Sequence, residues 1–152
     1  MRLRATTLSI LSFAIFVIGS NAQTVTGVIE GDVTRGKKAR AIITLEIPSD
    51  LHVNSNKPHS EFAIATSVKP TAKGVKFGVV EYPKGEDRKF AFSESMLNVY
   101  VGTVTFPFDI TVPRTFRGKE ISVNVAVRYQ ACNDEVCFPP KTKTVTITAP
   151  VK

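Results

Sequence analysis

The chain has 152 residues, a formal net charge of +7 and two cysteines. That length supports one domain with a true core. The 20 Lys and Arg residues are scattered, and no basic run is interleaved with stacking aromatics, so the charge reads as a solvated surface and not as a nucleic-acid footprint.

The first element is a leader. Arg2 and Arg4 precede an almost wholly apolar stretch over residues 7–18, and Ser20-Asn21-Ala22 places small residues where a signal peptidase reads. Cleavage after Ala22 is expected. The apolar run is shorter than the roughly 18 to 20 residues that span a bilayer, which ranks a retained anchor second. The expected organisation is a signal peptide over 1–22 and one domain over 23–152. Without Arg2 and Arg4 the remaining 130 residues carry +5.

Period-two patterning dominates the rest. Ala39, Ala41, Ile43, Leu45 and Ile47 alternate with Arg40, Ile42, Thr44 and Glu46. Phe62, Ile64 and Thr66 read as a further strand. Val104, Phe106, Phe108, Ile110 and Val112 make another, with Pro107 inside it predicting an edge or a bulge. Ile121, Val123, Val125, Val127 and Tyr129 follow, then Val145 and Ile147 among threonines. Each is the mark of a half-buried strand.

Turn signals separate these runs at Pro48-Ser49-Asp50, residues 54–58, Lys73-Gly74, Pro83-Lys84-Gly85 and Arg117-Gly118. No helical apolar stripe persists over three turns after Ala22. The predicted fold is all-β: an immunoglobulin-like antiparallel β-sandwich. Residues 86–100 lack clean alternation and read as a long loop, with a short strand at most, that carries exposed or half-exposed phenylalanines.

The chemistry concentrates in Cys132 and Cys137, with four residues between them, in the hairpin joining the last two strands. In an oxidising compartment a disulfide forms and persists. Two readings stand side by side. A plain stabilising bridge is the common use of such a pair. Yet closing so small a loop contributes only about 2 kcal/mol, against more than 4 for a loop of about a hundred residues. An exposed tip also leaves the bridge within reach of another thiol. Asp134 and Glu135 lie between the sulfurs and raise a neighbouring thiol pKa, which suits a passive exchange partner better than a fast nucleophile. Pro139-Pro140 stiffens the exit from the loop.

The segments Tyr129-Gln130-Ala131-Cys132 and Cys137-Phe138-Pro139-Pro140-Lys141-Thr142-Lys143-Thr144-Val145 resemble the N-terminal periplasmic domain of the DsbD thiol:disulfide interchange family. Leu51-His52-Val53-Asn54-Ser55-Asn56-Lys57-Pro58 resembles the turn after an early strand there, and residues 100–107 the strand before the cysteine hairpin. The resemblance implies an immunoglobulin-like fold and a Cys132–Cys137 pair that cycles between dithiol and disulfide. It implies Cys137 as the sulfur that forms mixed disulfides. It also implies an aromatic cap at Phe90, with Phe92 as alternate, and a site lined by His52, Asn54, Tyr129 and Phe138. The implied partners are thioredoxin-like redox proteins and a membrane thiol transporter on a separate chain. No cofactor or metal is implied, and a monomer is expected.

This chain departs from the family pattern in three places. The cysteine spacing is one residue shorter than in the best-known member. Arg88 and Lys89 stand directly before the cap aromatic where that member has acidic residues. His52 and Asn54 stand where it has tyrosines near the site.

Two rival functions remain on sequence grounds. His52, His59, Cys132 and Cys137 could offer a two-His, two-Cys metal site, although the spacing is unspecific. A non-catalytic interaction module with a structural disulfide is the other.

Overall fold

The structure is a computed structural model and describes residues 23–152; the leader and its cleavage point lie outside the described residues. Eleven strands follow in chain order. They are β1 (Thr24–Glu30), β2 (Lys38–Glu46), β3 (His52–Asn54), β4 (Ser67–Thr71), β5 (Lys76–Phe77), β6 (Glu86–Arg88), β7 (Leu97–Tyr100), β8 (Thr103–Thr111), β9 (Glu120–Tyr129), β10 (Ala131–Cys132) and β11 (Lys141–Pro150).

They form three antiparallel sheets, in the orders β1-β2-β8-β5, β11-β9-β4 and β10-β3-β7-β6. The long strands bury the alternating residues read from the sequence. Ala41, Ile43 and Leu45 of β2, Phe106, Phe108 and Ile110 of β8, and Val123, Val125 and Val127 of β9 have no exposed surface. They meet in one core between the first two sheets, as an immunoglobulin-like sandwich requires. Gly27 marks where the layers close most tightly. A Cβ there would stand 2.7 Å from Ile43 Cδ1 and 2.8 Å from Ile147 Cγ2, so any side chain at this position would force those two isoleucines to shift.

Two expectations need correction. Phe62, Ile64 and Thr66 form no strand. Phe62 is 92% exposed. Their amides find partners outside any ladder: Ile64 N donates to the Gln130 side chain and Thr66 N to Ser55 O. Alternation without a neighbouring strand to pair with does not make a strand.

Pro107 lies in an unbroken β2–β8 register, opposite Ile42, and not at a bulge. Its carbonyl accepts from Glu81 N on the other side, beyond the end of β5. In an extended strand the amide nitrogen faces the same side as the carbonyl. The missing N–H therefore points where no ladder bond is needed.

Residues 86–100 are more ordered than a loop. β6 and β7 pair from Glu86↔Val99 to Arg88↔Leu97, making a hairpin whose eight-residue connection is 89–96. Gly85 begins it. A Cβ at that position would meet Asn98 Oδ1 at 2.1 Å and Val99 O at 2.9 Å.

Candidate functional site

The site is built on the small sheet β10-β3-β7-β6. Register sorts its residues onto two faces. Ala131, Val53 and Tyr100 are aligned across the strands and join the main core. Cys132 faces His52, and Asn54 faces Val99. Paired residues of adjacent strands project to the same side. Cys132, His52, Asn54 and Val99 thus share the opposite face.

That face would be open to water without the 89–96 connection. The connection leaves β6 at the far edge and folds back over the sheet. Phe90 lands flat on the His52 imidazole, with centroids 4.1 Å apart and planes 12° apart. Phe92 stacks on Phe90 at 5.3 Å. Phe90, Leu97 and Val99 form a second apolar cluster, apart from the main core, with Ala63 and Val101 packed against it. Lys89 pins the connection from within, donating through Nζ to Ser93 O at 2.8 Å and to Glu94 O.

The hairpin tip owes its geometry to Pro139-Pro140. Tyr129 faces Lys141 and Cys132 faces Cys137, so three steps along one arm match four along the other. The extra residue falls at the two prolines, a β-bulge that turns the tip away from the β9–β11 ladder and lets β10 pair with β3. Phe138 N donates to Ala131 O and Asn133 N to Val136 O, so two backbone bonds bracket the Cys132–Cys137 bridge. Asn133 Oδ1 accepts from both Glu135 N and Val136 N and closes the turn.

Cys132 and Cys137 are joined by a disulfide, with Cα atoms 4.0 Å apart. The two sulfurs differ in access. Cys132 is fully buried, whereas Cys137 is half-buried. Cys137 opens into a cleft of about 500 Å³, shared with Phe62, Phe92, Glu94 and Gln130. On the other flank, Asp134 shares a hollow with Arg88 and Ala91 of the cap hairpin.

Not every residue singled out from the sequence reaches this place. His52, Asn54, Phe90, Phe92 and the cysteines come together, and Phe138, 39% exposed, stands at the rim. Tyr129 lies in the main core, with its hydroxyl donating to Gln23 Oε1 at 3.4 Å. His59 sits on the surface 3.4 Å from Asp87, at the outer edge of the cap hairpin. Among the described residues no three His, Cys, Asp or Glu side chains form a group able to hold a metal ion, so His52, His59, Cys132 and Cys137 do not gather into one cluster.

Sequence reasoning passed over Gln130. Its Oε1 accepts from Asn54 Nδ2 at 3.0 Å and Ile64 N at 3.1 Å, and its Nε2 donates to Phe138 O. One side chain thereby ties β3, the 55–66 loop and the disulfide hairpin together. Its neighbours in sequence, Ala131 and Cys132, were the only hint.

The site face also carries unmet polar groups. His52 Nε2 and Asn54 Oδ1 are buried without a hydrogen-bond partner. Burial holds the His52 imidazole pKa below its ordinary value; Asp134 opposes this and Arg88 reinforces it.

Fold and site together define an immunoglobulin-like sandwich domain whose short-loop disulfide lies beside an aromatic-capped strand. The chain matches the family described as thiol:disulfide interchange protein DsbD, N-terminal, over residues 24–149, and it belongs to that family. The family is one of periplasmic thiol–disulfide exchange domains. Among solved structures, the GAE domain of yeast GGA1 is similar at 16% identity and a TM-score of 0.46, covering 88% of this chain and 96% of that one. The GAE domain of GGA2p from Saccharomyces cerevisiae is similar at 11% identity and a TM-score of 0.44, covering 83% and 88%. Comparison with curated protein sequences finds no match.

Proposed function

We propose that this domain relays reducing equivalents through a reversible Cys132–Cys137 disulfide. The donor would be a membrane-embedded thiol transporter on a separate chain, and the acceptors thioredoxin-like proteins of the periplasm. The chain is exported, processed after Ala22 and monomeric in this reading. The observation that carries it is the unequal access of the two sulfurs: Cys137 opens into a cleft, while Cys132 is sealed beside His52. A partner thiolate attacks Cys137 Sγ, the bond to Cys132 breaks, and a mixed disulfide forms. The partner's second thiol then releases Cys137 and leaves the pair reduced. Phe90, Phe92 and the rest of the cap connection shield the pair until a partner displaces them.

A glutathione titration of the mature domain tests this. An exchange site equilibrates above about −300 mV, whereas a structural bridge resists reduction below that value. A Cys132→Ala variant should trap a thioredoxin-like partner through Cys137. Resistance to glutathione together with failure to trap a partner would leave the second reading, an interaction module with a structural disulfide. The apolar rim of exposed Phe62, Phe92 and Phe138 favours docking of a protein in either case.

A further inference from the structure

We propose that His52 is the proton carrier for Cys132 in the exchange reaction, and that the cap connection over it keeps this function shut off between encounters. This deepens the relay reading and rests on it.

Three features on the site face support the role. His52 and Cys132 are register partners on adjacent strands, so their side chains lie on one face. Both are sealed: His52 is 3% exposed and Cys132 is not exposed at all. Finally, His52 Nε2 is buried with no partner. An unmet buried donor or acceptor is costly, and natural structures satisfy nearly all such groups. A nitrogen left unmet beside a reactive sulfur is available for a proton.

In the direction that passes electrons outward, Cys137 is first joined to a partner sulfur. Cys132 then gives its thiol proton to His52 Nε2, and its thiolate attacks Cys137 Sγ. The Cys132–Cys137 bond forms and the Cys137–partner bond breaks. The two cysteines are oxidised, and the partner sulfur leaves reduced as a thiolate that takes up a proton. In the opposite direction the imidazolium returns the proton to Cys132 as it leaves.

The surroundings suit a base. Burial favours the neutral imidazole, the form that accepts a proton. The charged groups facing it are Asp134 from the hairpin turn and Arg88 from β6, and Arg88 is itself paired with Glu86 at 2.7 Å. On β7 the residue sharing this face is Val99, which carries no titratable group. Phe90 covers the ring and withholds it from water.

The test uses the reduced mature domain and 5,5′-dithiobis(2-nitrobenzoate). The first thionitrobenzoate released reports attack by Cys137, and the second reports resolution by Cys132. A free thiol is only a few per cent ionised at neutral pH, so His52→Phe should slow the second release roughly tenfold or more at pH 7. The first release should change far less, and the rate should recover as pH rises. Equal second-phase rates and equal pH profiles in the two proteins would overturn the role of His52 while exchange itself stands. A wild-type domain that never gives the second release would sink the relay reading as well. A second measurement does not depend on the variant folding. The His52 ring nitrogens of the wild-type domain are titrated by NMR in the dithiol and disulfide states, with His59→Gln used for assignment. A midpoint that differs between the states is expected; identical midpoints overturn the proposal.

Discussion

Phe90 lies flat against the His52 imidazole, 4.1 Å between centroids, and this contact joins the cap hairpin to the strand that bears the site. It is both cover and anchor. Phe90 belongs to a small satellite cluster and not to the main core, so it can move without opening the sandwich.

Phe90→Ala therefore separates access from stability. Truncating a buried Phe in a full core costs about 3–5 kcal/mol, and the satellite position puts this one at or below the lower end. Reduction of the disulfide by dithiothreitol should accelerate about tenfold, while the domain stays folded at 25 °C. Thiol-trapping kinetics read the first quantity and urea denaturation the second. An unchanged reduction rate would mean that the cap does not guard the sulfurs.

The lowered His52 pKa gives a pH dependence with a definite sign. The folded state holds His52 neutral at pH values where the unfolded chain, near pKa 6.5, protonates it. The unfolded state binds more protons in that window, so stability falls as pH drops below about 6.5. It levels off once the folded-state value is passed. The carboxylates of Glu81, bonded to Arg40, and Asp109, bonded to Lys38 and Arg40, are held below the ordinary carboxylate range and lose their contribution only at more acidic pH. Urea midpoints measured from pH 7.5 to 5.5 should decline in the wild type and stay nearly flat in His52→Phe.

Gln130→Ala should cost about 2 kcal/mol. It leaves the buried Asn54 amide and Ile64 N without their acceptor. The loss is local as well as global: amide exchange at Ile64 should quicken beyond what the change in global stability explains. Equal protection of Ile64 in both proteins would assign Gln130 a passive place.

Removing the disulfide with Cys132→Ala plus Cys137→Ala should lower stability by only about 2 kcal/mol, because the closed loop is short. The double variant should keep the wild-type far-ultraviolet circular dichroism and a cooperative melt. A collapse of the fold would instead make the bridge structural.

The long strands were legible in the sequence because each buries one complete face. Ile43 and Leu45, Phe106 and Phe108, and Val123 to Val127 alternate cleanly for that reason. The cysteine pair and its flanking prolines were legible by spacing. The small sheet was not. β3 is three residues long and buried on both faces, so it shows no alternation at all. β6 is wholly exposed and polar, and only its pairing with β7 makes it a strand. Phe62 misled because its apolar side chain faces solvent beside the cleft and not a neighbouring strand. The Gln130 bonds join residues up to 76 positions apart, and no local pattern encodes that.

Neither Pro139 nor Pro140 has an amide hydrogen, and together they occupy the outgoing arm just past the reactive pair. A visiting polypeptide cannot lengthen its own sheet along that arm, since half of the bonds needed to adopt it as a neighbour are missing. Along that arm, the proposed docking would rely on side chains and on the sulfur bond. Under the proposed relay, a contact of that kind would dissolve as soon as the sulfur bond is resolved.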